Sequence, residues 1–177
     1  MATPSHIALL RGVNVGGVRV EMAALRALAK GLGWRDVQSY IASGNLLFSA
    51  QGANDALADA LRLALRDATG ADVPILVLTG PQLAAALEAH PFAPDKGSLS
   101  HILLCWDTPR IDSGHYETLR VPDEDLRIAG GHVHLLAPSG LARSKLAARI
   151  GQVVQGTEVT ARNLNTIRKL VTLTTPA

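Results

Sequence analysis

Cysteine is almost missing from this chain. Cys105 stands alone, so no disulfide can close within it, and a reducing cytoplasm is the expected setting. It lies in the apolar run "HILLCW" and reads as a buried structural thiol rather than a nucleophile. Aromatic residues are scarce too, at 3%, which leaves the core to Leu, Ala, Val and Ile. It also removes the row of exposed rings on which a base-stacking surface depends. No apolar run reaches the roughly 18 residues of a membrane span, and no basic segment leads into an apolar stretch near Met1, so neither a span nor a signal peptide is expected. The catalytic signatures H-E-x-x-H and C-x-x-C are absent, as is a legible Ser-His-Asp set.

What is there is a globular composition. Of 177 residues, 47% are apolar and 18% charged, enough for one large domain or two small ones with real cores. The net charge of +2 is too small to announce nucleic acid, but it is unevenly spread. Residues 141–177 carry six Lys or Arg against the single Glu158, whereas 81–140 carry four against eight acids. The C-terminal stretch is thus a basic patch in sequence.

Periodicity predicts an order of elements. "HIALLRG" reads as a buried strand; Met22, Leu25, Leu28 and Leu32 then recur at helical spacing up to Gly33. "VQSYIA" and "LLFS" form a hairpin around "SGN". Asn54 is a candidate cap for a helix carrying Leu57, Leu61, Ala64 and Ala68 and closed by Gly70, and "VPILVLT" is a fourth strand. After a short helix from Pro81, the plan repeats: "SHILLCW" as a strand, "IDSGHYETLR" as an imperfect helix, and a hairpin turning on Gly130-Gly131. A helix over residues 139–150, the short strand "TEVT" and a last helix with Leu164, Ile167, Leu170 and Val171 complete it. The expected fold class is α+β: two tandem ferredoxin-like (βαββαβ) plaits, mainly antiparallel sheets packed against helices. The expected boundaries are 1–80, a connecting helix and loop over 81–98, and 99–177 with the C-terminal helix.

Three clusters are candidates for chemistry. The first, "RGVNVGG" (residues 11–17), lacks the Gly-Lys-Ser/Thr of a P-loop and the G-x-G-x-x-G of a dinucleotide fold. It keeps flexible backbone, amide donors, a following helix start, and Arg11 and Arg19 on either side. The second, "SGN", is fully explained by a turn. The third, "TARNLNTIRK", is richer in donors than capping by Thr160 or Asn163 requires; Arg162, Asn163, Asn165, Thr166 and Lys169 at a helix start suit an anion. His132 and His134 alternate on a strand but find no third ligand, so no metal is expected, and no cofactor motif is present. "PDEDLR" reads as a solvated turn.

Together, "ALLRGVNVGG", "YIASGNLLF" and "TARNLNTIRKL" resemble the domain-of-unknown-function family numbered 1697, in order and over nearly the whole chain, with "VPILVLT", "HPF" and "APSGLARSKL" between them. The resemblance implies a small bacterial soluble protein of two ferredoxin-like domains, and no activity. Its recurrent residues fall here on Arg11, Gly12, Asn14, Gly16 and Gly17, on Ser43, Gly44 and Asn45, and on Arg162, Asn163, Asn165 and Thr166. This chain departs from the pattern at Ala161, where a hydroxyl residue is common, and at Leu164, where tryptophan is usual.

The leading expectation is a cytoplasmic module that binds an anionic ligand, a nucleotide or RNA phosphate, through these clusters. Arg11 and Arg162 would hold phosphate, with Asn14, Asn45, Asn163 and Asn165 on sugar, base or carbonyl groups. One rival makes the motif residues structural links between the domains of a protein-interaction module or homodimer. Another is an enzyme for a small phosphorylated substrate, which lacks a visible general base. "RGVNVGG" and "SGN" are expected at opposite ends of neighbouring elements, so they need not meet.

Overall fold

The computed structural model describes residues 2–176, which divide into two compact units. One comprises the residues up to Leu83 together with Lys169 onward; the other is Ala84–Arg168.

The first unit is built from β1 (His6–Leu10), α1 (Met22–Gly31), β2 (Arg35–Ser39), β3 (Asn45–Ser49), α2 (Asn54–Thr69) and β4 (Ile75–Thr79). Its sheet runs in the order β2-β3-β1-β4 with every neighbour antiparallel. Alternation puts Ala8, Leu10, Leu46, Phe48, Ile75 and Val77 on one face, where Leu25 and Ala29 of α1 and Leu57, Leu61 and Leu65 of α2 cover them. Trp34 closes this core, stacked on Phe48 with ring centroids 4.0 Å apart. Such a pair is worth about 1 kcal/mol beyond the area it buries. α2 ends where Gly70 turns left-handed (φ 74°) and donates to Arg66 O at 2.7 Å. Asn54 does not cap it; it is the first helical residue, and its side chain donates to Gln82 Oε1.

The second unit begins within α3 (Gly80–Glu88) and contains β5 (Ser100–Cys105), β6 (Arg110–Ile111), α4 (Ser113–Leu119), β7 (Asp125–Ala129) and β8 (His132–Leu136). It continues with α5 (Lys145–Ala148), α6 (Ile150–Val153), β9 (Val154–Gln155), β10 (Val159–Asn163) and the start of α7 (Leu164–Thr174). Its main sheet is antiparallel in the order β10-β5-β8-β7, and β6 pairs with β9 separately. Leu103, Cys105, Leu126, Val133 and Leu135 face Leu119, Leu146 and Val153. The helix expected over residues 139–150 is broken into a 3-10 turn at Leu141–Arg143, then α5, then α6. Ser144 restarts it by accepting from Ala147 N, and Arg149, at φ −120°, interrupts it again.

Candidate functional site

The clearest cavity lies in the first unit, in front of the loop that joins β1 to α1. It is open, about 840 Å³, and lined by Asn14, Gly16, Gly17, Arg19, Glu21, Met22 and Ala42 among others. The loop holds its shape through one side chain. Asn14 sits in the left-handed region (φ 59°), its Nδ2 donates to Val20 O at 2.9 Å and Ala42 O at 2.7 Å, and its Oδ1 accepts from Val20 N at 3.0 Å. Its backbone N–H also donates to Val18 O, so the chain folds back on itself before the helix. The N–H groups of Gly16 and Gly17 make no hydrogen bond among the described residues and stay available at the rim. Glu21 flanks the start of α1 without making a side-chain cap, and Arg19 is exposed beside it.

The expectation that "RGVNVGG" and "SGN" lie at opposite ends is overturned. β1 and β3 are antiparallel, so the end of β1 and the start of β3 lie at the same end of the sheet, with Leu9 opposite Asn45. Leu10 N donates to Gly44 O at 2.9 Å, and the Asn14 amide bridges the two loops at Ala42 O. Gly44 (φ 76°) packs so tightly that a Cβ there would stand 2.6 Å from Val13 Cγ2 and 2.8 Å from Leu10 Cβ. Asn45 is no turn residue: it opens β3, is wholly buried, and spends its amide on Tyr40 O and Ser43 Oγ. The left-handed non-glycine residue of this second loop is the exposed Ile41 (φ 50°), a conformation that β-branched side chains rarely adopt.

The third cluster lies in the second unit as far as Arg168, with Lys169 in the first, and it is not a helix start throughout. Val159–Asn163 is a strand because β10 pairs with β5, Ala161 standing opposite Leu103 and Arg162 opposite Ile102. Arg162 is 7% exposed, and its Nη1 donates to Thr160 Oγ1 at 2.9 Å and Ala161 O at 2.8 Å. Burial pulls its guanidinium down to about 10. Asn163 Oδ1 accepts from Thr166 N at 2.9 Å, which is the capping role considered for it. Thr166 is buried and Asn165 exposed, and the Oδ1 of Asn165 lies where a Cβ on Gly97 would be. Arg11 is exposed, with its backbone N–H on Pro74 O, and Gly12 is exposed beside it.

A family model described as a protein of unknown function, DUF1697, matches residues 3–134. The chain belongs to this family. No curated protein matches it. Among solved structures, the DUF1697 chain is similar to the conserved bacterial protein SP0830 from Streptococcus pneumoniae, with a TM-score of 0.71 and 24% identity, over 98% of this chain and 100% of that one. At that identity the likeness speaks to the fold alone. No helix among the described residues is long and apolar enough to cross a membrane, and no group of three or more His, Cys, Asp or Glu is placed to hold a metal ion.

His134 turns from its strand to His90, a residue that sequence reasoning passed over, while His132 Nδ1 accepts from Cys105 N at 3.1 Å. Burial raises the Cys105 thiol to about 11, which keeps it protonated and inert. The signal for His90 was faint: it lies 44 residues from His134, in the loop run "AHPF".

Proposed function

We propose that this DUF1697 protein binds a phosphate-bearing ligand, a nucleotide or RNA, in the cavity before α1. The observation that carries the reading is the pair of unbonded Gly16 and Gly17 N–H groups beside exposed Arg19 at the rim of that cavity. Free backbone amides of a glycine loop ahead of a helix, with a guanidinium alongside, suit phosphate oxygens. Glu21 offers an acceptor for ribose hydroxyls, which favours a nucleotide over inorganic phosphate. In this reading Arg19 takes the role first given to Arg11, because Arg19 lines the cavity.

A second reading applies to Ser43, Asn45, Arg162 and Asn163, whose polar atoms are engaged within their own units; we read them as scaffold. We also read both units as ferredoxin-like plaits. Support comes from their shared strand order, in which the first strand lies between the third and the last.

The test is calorimetric titration of the full chain with nucleoside mono- and triphosphates, inorganic phosphate and a short single-stranded RNA. Arg19→Ala is expected to weaken binding about tenfold, the loss of one charge-assisted contact. For RNA held by two phosphate contacts, affinity is expected to fall roughly sevenfold between about 50 and about 200 mM salt. Failure of every phosphate-bearing ligand to bind, or undiminished binding by Arg19→Ala, would overturn the reading.

A further inference from the structure

The second unit contains a buried hydrogen-bond chain that the glycine-loop cavity does not use. His90 follows α3, Ser100 opens β5 and His134 lies in β8. The two histidine Nδ1 atoms are 2.8 Å apart. His134 Nε2 lies 3.0 Å from Ala129 O, a carbonyl that only accepts. At the other end Ser100 Oγ lies 3.0 Å from His90 Nε2 and 2.8 Å from Leu135 O, a second carbonyl. Ser100 and His134 are both 0% exposed, which leaves the inner contacts to the protein's own hydrogens.

Those hydrogens can be counted. A neutral imidazole brings one N–H, a serine one O–H, and a carbonyl none. With both rings neutral, three hydrogens serve four contacts, so at one contact two lone pairs face each other. Ser100 is where the shortage is felt. Its single hydrogen goes either to His90 Nε2, closing the base of the loop 91–99, or to Leu135 O, leaving that base unmade. One added proton fills all four contacts: His134 donates to Ala129, the rings share a hydrogen, His90 donates to Ser100, and Ser100 donates to Leu135.

We propose that His90 and His134 form a one-proton switch in which a shared proton closes the loop 91–99 at its base through Ser100, and loss of that proton loosens it by leaving Ser100 one hydrogen to divide between His90 and Leu135 O. The groups around the pair set the direction. Arg168 of α7 acts against a charge on His90, and His132 of β8 is coupled to His134. Arg127 of β7, ion-paired with Asp125 at 2.6 Å, lies 5.1 Å from the Phe92 ring, which contacts His90 edge-on. No carboxylate among the described residues acts on either ring. Burial, then the neighbouring His134 and Arg168, hold His90 down to about 4, and burial lowers His134 as well, so the proton is taken up on the acid side. The two rings share a hydrogen bond and therefore titrate as a pair.

The experiment is nuclear magnetic resonance of the full chain with nitrogen-labelled histidine, from neutral to acid pH, with amide exchange over residues 91–99. At neutral pH, His134 is expected as the Nε2–H tautomer and His90 as the less common Nδ1–H form, with scalar coupling between the two Nδ1 nitrogens. On acidification both rings should shift in one step, and amide protection over 91–99, taken relative to the intrinsic exchange rate at each pH, should rise about fivefold, the effect of one added hydrogen bond. Ser100→Ala leaves two hydrogens for two contacts, complete without the extra proton. In that variant the step should move to lower pH and exchange over the loop should no longer follow it. An Nε2–H tautomer at His90, separate steps for the two rings, or an unmoved step in Ser100→Ala would each overturn the proposal. So would loss of the fold while both rings are still neutral.

Discussion

Asn14→Ala removes the side chain that shapes the glycine loop, and its cost can be worked from the bonds it breaks. Three hydrogen bonds disappear, two donated by Nδ2 and one accepted by Oδ1. At about 1 kcal/mol each they amount to about 3 kcal/mol. Alanine at φ 59° adds about 1 kcal/mol of left-handed strain, which asparagine tolerates better. Water replaces part of the loss because Asn14 is exposed, so the net expectation is about 2–3 kcal/mol. For a chain of this size that lowers Tm by roughly 5–10 °C. Two further variants separate the contributions. Asn14→Gly loses the same bonds without the strain and should be milder by about 1 kcal/mol. Asn14→Asp keeps the acceptor for Val20 N but turns a carboxylate oxygen on two carbonyls, Val20 O and Ala42 O, so it should be at least as damaging as alanine. Urea unfolding is followed through Trp34, buried on Phe48, in a Trp106→Phe background so that the signal reports the first unit. Alanine or aspartate within about 0.5 kcal/mol of the parent would refute the reasoning, because surface changes without structural consequence fall in that range.

Gly44→Ala combines a left-handed backbone with a Cβ 2.6 Å from Val13 Cγ2, and should cost about 2–4 kcal/mol in the same unfolding assay. Acid should also weaken the fold. His6, His90, His101, His132 and His134 are all held below the usual 6.5 by burial, so the unfolded chain binds protons that the native chain refuses. Stability is therefore complete above pH 6.5 and declines as pH falls towards about 4, the value for His90. Thermal melts at intervals across that window should show Tm falling steadily, and a flat profile would contradict it.

The elements that sequence reasoning placed well carry their own local instructions. The apolar stripes of α1 and α2 and the glycine pair between β7 and β8 depend on neighbours a few residues away. Two of the misplacements depend on distant partners, and one is a local break. "ARN" reads as the start of a helix until β5 offers its edge and draws Ala161 and Arg162 into a strand. The break at Arg149 divides a stretch that local propensity would have kept helical. The meeting of the two loops follows from a register, Leu9 opposite Asn45, that no spacing rule contains. The candidate residues divide the same way. Glycines 16 and 17 were legible as a loop with amide donors, but the engagement of Asn14 and Asn45 within the protein required the folded backbone.

The last helix carries a consequence for how the protein is made. From Lys169 onward it belongs with the unit that begins the chain, and a Cβ at Gly80 would stand 2.9 Å from the Cβ of Thr174. The ribosome therefore delivers every residue of Ala84–Arg168 before it supplies the piece that finishes the earlier unit. Domains commonly fold in the order in which they emerge. Here the earlier of the two bodies closes its core without that piece, and its Gly80 surface stays open during synthesis until the chain returns to cover it.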